Sequence, residues 1–101
     1  MAQFDVYENR APGSKSRVPY LLDVQHDLLE HLKTRVVIPL VAAERPIAHL
    51  NPSVEIGGKR YMLSTQEMAG VPLDVLGPCV TSLESQRDAV IQAIDFLVTG
   101  F

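Results

Sequence analysis

Arg35-Val36-Val37-Ile38-Pro39-Leu40-Val41 is the stretch that decides the fold. Behind its leading arginine it is apolar and rich in β-branched residues, the composition of an internal strand buried on both faces. Pro39 has no amide hydrogen to give to a ladder, so the strand needs a bulge, a bend or an edge-facing position there. Strand-like segments lie on either side of it. Residues 3–7 (QFDVY) alternate, with Phe4 and Val6 on one face and Asp5 and Tyr7 on the other. Residues 20–25 (YLLDVQ) set Tyr20, Leu22 and Val24 against Leu21, Asp23 and Gln25. Between them, residues 8–16 (ENRAPGSKS) read as a mobile hairpin-like loop.

Downstream, residues 53–56 and 59–65 flank Gly57-Gly58. Two glycines supply the positive φ angles of a two-residue hairpin turn. That register pairs Ile56 with Lys59 and Val54 with Tyr61, leaving Arg60 and Met62 on the opposite face. Residues 71–76 give one more expected strand, stopped by Gly77-Pro78. The last element is a helix, with Ser82, or Thr81 with Glu84 three residues on, as its cap. Leu83, Val90, Ile94 and Leu97 recur at helical spacing, widened by Ala89, Ala93 and Phe96, and Gly100 supplies the stop. The expected architecture is mainly β (α+β): a small SH3-like barrel or curled antiparallel sheet with a C-terminal α-helix, one domain over residues 1–101.

Composition narrows the function classes. A chain of 101 residues holds a single modest core. Its net charge of −3 argues against gripping nucleic acid unaided, which takes a basic excess. One cysteine, Cys79, leaves no intrachain disulfide, fits a reducing cytoplasm and reads as a small buried hydrophobe. Neither a signal-peptide core nor an apolar run of membrane-spanning length is present.

Catalytic chemistry is hard to find. His26 with Glu30, and Asp27 with His31, stand four apart and could form a weak metal site, or simply a polar surface turn between strands. A structural zinc site needs four nitrogen or sulfur ligands at motif spacing, which one Cys and the scattered His26, His31 and His49 do not provide. No serine sits in a nucleophile elbow, and Gly57-Gly58 lacks the further Gly and Lys of a phosphate loop. No catalytic residue, metal or cofactor is expected. The sequence finishes Phe96-Leu97-Val98-Thr99-Gly100-Phe101, an apolar tip after an amphipathic helix. Chain ends are ordinarily solvated, so such a tip is expected to pack against the core, a second copy or another molecule. A small acidic chain with these features reads as a binding protein.

Four segments in order resemble the CcdB family of toxins from bacterial toxin–antitoxin modules. They are Gln3-Phe4-Asp5-Val6-Tyr7; Asp23-Val24-Gln25-His26-Asp27-Leu28-Leu29; Arg35-Val36-Val37-Ile38-Pro39-Leu40; and Met68-Ala69-Gly70-Val71-Pro72, followed by Ala93-Ile94-Asp95 and the Gly100 ending. The resemblance implies a symmetric homodimer and no enzymatic activity. It implies binding to the dimerisation region of the DNA gyrase A subunit, trapping gyrase on cleaved DNA, and neutralisation by a CcdA-type antitoxin. Operator DNA is then contacted only through the antitoxin complex, and no membrane is involved. Carried over by position, the gyrase-binding set is Leu28, Leu29, Asp95, Val98, Thr99, Gly100 and Phe101. The antitoxin-binding zones are residues 8–17, with Glu8, Asn9, Arg10, Lys15 and Arg17, and residues 42–52, with Glu44, Arg45 and Asn51; Ser85 and Gln86 lie at the margin. The best-known members end in Trp-Gly-Ile; here Thr99-Gly100-Phe101 moves the aromatic to the last position. The rival is a MazF-like ribonuclease toxin on the same fold, which would need a basic groove and acid–base groups around a 2′-hydroxyl.

Overall fold

The long apolar strand organises the molecule. A computed structural model describes residues 2–100. Its strands are β1 (Asp5–Asn9), β2 (Tyr20–Asp23), β3 (Thr34–Ala42), β4 (Ser53–Ile56), β5 (Lys59–Leu63), β6 (Ala69–Pro72) and β7 (Leu76–Ser82); helix α1 spans Arg87–Thr99. All pairings are antiparallel, in the order β4-β5-β3-β2-β1-β7, with β6 also on β3. The result is a curled half-barrel closed by the helix, which is the expected fold class.

β3 is internal because three strands share its two edges. β2 pairs with it along one edge, from Val37 to Leu40. On the other edge β6 covers Thr34 to Val37 and β5 covers Leu40 to Ala42. Pro39 falls in the gap between those two partners, where the missing amide breaks no ladder bond; its carbonyl still accepts the Ser64 amide at 2.8 Å. Both faces of β3 are covered from Val37 to Val41, whereas Val36, expected to be buried, is exposed. Ile38 and Leu40 join Phe4, Val6, Leu22 and Leu63 beneath the helix, while Val37 and Val41 join Tyr7, Val18, Leu21 and Leu76 on the other side.

The glycine hairpin takes the expected register, Ile56 to Lys59 and Val54 to Tyr61. Gly57 and Gly58 have φ of 60° and 79°, the left-handed pair that matches strand twist in a two-residue turn.

Three expectations are corrected. Residues 71–76 do not form one strand: β6 ends at Pro72, a 3-10 turn follows over Leu73–Val75, and β7 runs through Gly77-Pro78. β7 is an edge strand, so Pro78 is tolerated. Here three steps along β7, Cys79 to Leu76, face two along β1, Tyr7 to Asn9, which is a bulge. Gly77 suits that bulge, since a Cβ would crowd the Glu8 carbonyl oxygen at 3.0 Å and the backbone would have to give. The helix also starts later. Leu83 donates its amide to the Phe4 carbonyl at 2.8 Å, prolonging the strand pairing. Ser82 therefore precedes the N-cap, Leu83, of the short 3-10 turn Glu84–Gln86, and its Oγ accepts the Glu84 amide at 3.2 Å. Finally, Cys79 is exposed on β7 rather than buried.

The helix buries Val90 and Ala93 fully and Ile91 and Ile94 in part, whereas Ala89 and Leu97 stay exposed. Its stripe is narrower than the sequence spacing suggested. Gly100, at φ 79°, ends it with its amide on the Phe96 carbonyl at 2.9 Å.

Candidate functional site

Among the described residues the two most exposed large apolar side chains are Leu28 and Val98, each on a hydrogen-bonded support. The first support is the 3-10 turn Asp27–Leu29 between β2 and β3. His26 Nδ1 accepts the Leu28 amide at 3.1 Å, and Asp27 Oδ1 accepts the Gln3 amide at 2.7 Å. Gln25, buried, donates from Nε2 to the Leu29 carbonyl at 2.9 Å and accepts the Val36 amide at 3.1 Å. Beneath it lies an ion pair closed to water. Arg35 donates from Nε and Nη2 to Asp23 Oδ2 at 2.9 and 2.5 Å, and both side chains are 0% exposed. Asp23 Oδ1 accepts the Gln25 amide at 3.0 Å. Burial pushes the Asp23 carboxyl above its ordinary value against the opposing pull of Arg35 and that amide. On this anchored turn Leu28 is 79% exposed, with Leu29 and Leu32 also outward.

The second support is the helix end. Val98 is 73% exposed, and Asp95, Thr99 and Gly100 are exposed beside it. Thr99 donates its hydroxyl to the Asp95 carbonyl at 2.7 Å, tightening the last turn. Phe101 lies outside the described residues. Within the chain the helix packs on the 3-10 turn Thr65–Glu67. The residues expected to bind gyrase thus fall on two different elements, the turn Asp27–Leu29 and the end of α1.

The two zones expected to bind an antitoxin approach each other at one edge, where Ser16 and Arg17 share a cleft with Ala42 and Glu44. Asn9 is buried and braces the first loop: it donates to Ser14 Oγ at 3.1 Å and the Val18 carbonyl at 2.9 Å, and accepts the Ala11 amide at 2.9 Å. Glu8, Arg10, Lys15 and Arg17 stand exposed around it. Arg17 lines a cleft of about 250 Å³ on one side. On its other side is a second cleft of about 380 Å³, which includes Ser16, Ala42 and Glu44. One arginine therefore joins the two zones.

The loop of residues 43–52 is strained yet locked, with Arg45 at φ 48° and His49 at φ 69°. Buried Asn51 holds it, accepting the Ile47 amide at 2.9 Å and donating to the Leu63 carbonyl at 2.9 Å and Gln66 Oε1 at 2.8 Å. The His49 ring leans on Phe96, centroids 5.9 Å apart. At the margin Ser85 is exposed, and Gln86 Nε2 reaches the Ser53 carbonyl at 3.5 Å. Sequence reasoning missed Glu67, which pairs with Arg17 at 2.7 Å across a separation of fifty residues. No local pattern signals such a contact. Among the described residues no three His, Cys, Asp or Glu side chains gather as a metal site, and no helix is long and apolar enough to cross a membrane.

A protein-family model described as "CcdB protein" matches residues 3–100. The chain belongs to the CcdB family. CcdB proteins are toxins of type II toxin–antitoxin systems, the class to which this member is assigned. Its fold is shared more widely. An "Endoribonuclease in complex with its cognate antitoxin from Mycobacterial species" superposes with a TM-score of 0.81 at 14% identity, over 97% of this chain and 94% of that one. The "Mycobacterium tuberculosis toxin MazF-mt6" gives 0.77 at 17% identity, over 93% and 95%. A structure described as "Crystal structure of Mtb toxin" gives 0.74 at 21%, over 91% and 98%. At these identities the likeness is one of fold.

Proposed function

We propose that this CcdB-family toxin acts by binding, not by catalysis: it engages the dimerisation region of the DNA gyrase A subunit and traps gyrase on cleaved DNA. The observation that supports it most is the outward presentation of Leu28 and Val98 on rigid, hydrogen-bonded supports, at positions the family uses for gyrase. An exposed leucine on a loop without such hydrogen bonds would cost more ordering entropy on binding. A homodimer doubles each point about a two-fold axis, matching a two-fold target. A CcdA-type antitoxin is the neutralising partner, received by the loops that meet at Arg17, and operator DNA is reached only through that complex. The fold neighbour solved with its cognate antitoxin supports a partner of this kind.

Inducible expression tests the proposal. Growth should stop with double-strand breaks accumulating, and cells carrying a gyrase A subunit altered in its dimerisation region should survive. Growth arrest with intact chromosomes and fragmented messenger RNA would favour the ribonuclease activity of the fold neighbours instead.

A further inference from the structure

Gln25 lies where β2 leaves the sheet, and its side chain takes the place of the departing strand. β2 ends at Asp23, opposite Val37. Val24 still donates its amide to the Val36 carbonyl at 3.0 Å. The Val36 amide is met instead by Gln25 Oε1 at 3.1 Å, and Gln25 Nε2 donates to the Leu29 carbonyl at 2.9 Å. One side chain, in a residue only 6% exposed, thus ties the turn Asp27–Leu29 to the edge of β3. The network fixes which way the amide points: exchanged, its NH2 would face an N–H and its oxygen a carbonyl. The Gln25 backbone is held as well, its amide on Asp23 Oδ1 at 3.0 Å and its carbonyl 3.5 Å from Arg35 Nη2. The buried ion pair therefore anchors the residue that anchors the turn. Packing does not replace this tie, because none of the three turn residues is buried, and such an element depends on its hydrogen bonds. The turn's other side-chain ties, from His26 Nδ1 to the Leu28 amide and from Asp27 Oδ1 to the Gln3 amide, are exposed. Water competes with those two far more than with the Gln25 amide.

We propose that Gln25 is the positioning residue of the Leu28 turn: it touches no target itself, and it holds Leu28 in the outward arrangement from which binding occurs. The consequence for gyrase rests on the function proposed above; the hold on the turn does not. An asparagine here would be one methylene too short to span both partners, and an ionised glutamate would have no donor for the Leu29 carbonyl. Affinity then depends on the fraction of molecules whose turn is in place, since only those are ready to bind.

Gln25→Met keeps the length of the side chain and removes both hydrogen bonds. The full chain is titrated with the dimerisation-region fragment of the gyrase A subunit, and backbone 15N relaxation is measured on the same samples. In Gln25→Met the order parameters of Leu28 and Leu29 should fall from about 0.85 to below about 0.6, while those of the hairpin and helix hold. Affinity should fall about tenfold, as when about a tenth of the molecules keep the turn in place. In a Leu28→Ala background the same change should cost less than about twofold, because no Leu28 is left to position. In a Val98→Ala background the full loss should remain. A merely structural role would not distinguish the two backgrounds. Val54→Ala, which opens a cavity in the hairpin, should lower the melting point without weakening binding. If Gln25→Met does not fold, Gln25→Asn, which keeps the amide but cannot span both partners, is read in the same way. Unchanged order parameters at the turn, an affinity within about twofold of the parent, or an equal loss in both backgrounds would overturn the proposal. A parent chain that does not bind the fragment refutes the gyrase target instead, and the order parameters then decide the hold on the turn by themselves.

Discussion

Replacing Asp23 with alanine is expected to be among the most damaging single changes in the molecule. Its carboxylate accepts Arg35 Nε and Nη2 and the Gln25 amide, all in a site with no solvent exposure. Arg35 Nη1 is already buried without a hydrogen-bond partner. Asp23→Ala would leave a guanidinium charge buried and uncompensated, a change that costs about 3–5 kcal/mol. A domain of this length has about 5–15 kcal/mol in all, and each kcal/mol moves the midpoint by about 4–8 °C. The melting point should therefore fall by roughly 12–40 °C. The double variant Asp23→Leu with Arg35→Met removes both charges together. It should recover to within about 1–2 kcal/mol of the parent, because the pair's Coulombic gain is largely offset by desolvation. Urea unfolding of parent, single and double variants measures all three. A single variant losing less than about 1 kcal/mol, or a double variant no better than the single, would show that the pair is not sealed from water.

Tyr7, which burial and then the neighbouring Asp5 push up to about 12, favours its neutral form in the folded state. Its contribution is full below the ordinary value of 10.0 and is lost as pH climbs toward about 12, by up to about 2–3 kcal/mol; Tyr7→Phe should flatten that alkaline slope in denaturation curves. Val90, fully buried in the helix, should cost about 2 kcal/mol when cut to alanine, while Val98→Ala should stay within about 0.5 kcal/mol. Equal losses at the two sites would mean that the helix end is packed in solution. Sedimentation at micromolar concentration should show a dimer rather than the 11.1 kDa monomer, its interface burying about 1,200–2,000 Å²; a monomer alone would contradict the paired arrangement.

Much of this fold was legible where a local rule had no competitor. Gly57-Gly58 left one hairpin register, Gly100 one helix stop, and the β-branched run at Val36 to Val41 one kind of strand. Legibility failed where tertiary pairing overrode the local signal. Pro78 reads as a stop, yet on an edge strand it interrupts nothing; Thr81 and Ser82 read as a helix cap, yet β1 claims them first, pairing them with Val6 and Asp5. Alternation assigned Asp23 and Tyr7 to a second face without revealing that this face is also covered, so the buried ion pair was invisible. Among the candidate site residues, Leu28 and Val98 were findable as apolar residues at odd places. Asn9 and Asn51 gave no sign that they are buried and brace their loops, and Glu67 could be linked to Arg17 only in three dimensions.

The most direct test of the central claim is a cleavage-complex assay with purified gyrase and supercoiled plasmid. The chain should convert plasmid to linear DNA on detergent and protease treatment, and Val98→Asp, which changes an exposed side chain and should leave the melting point within about 1 °C, should lose that activity. An equal yield of linear DNA from Val98→Asp would remove the helix end from the gyrase contact. No linear DNA from the folded parent chain would contradict the gyrase account itself.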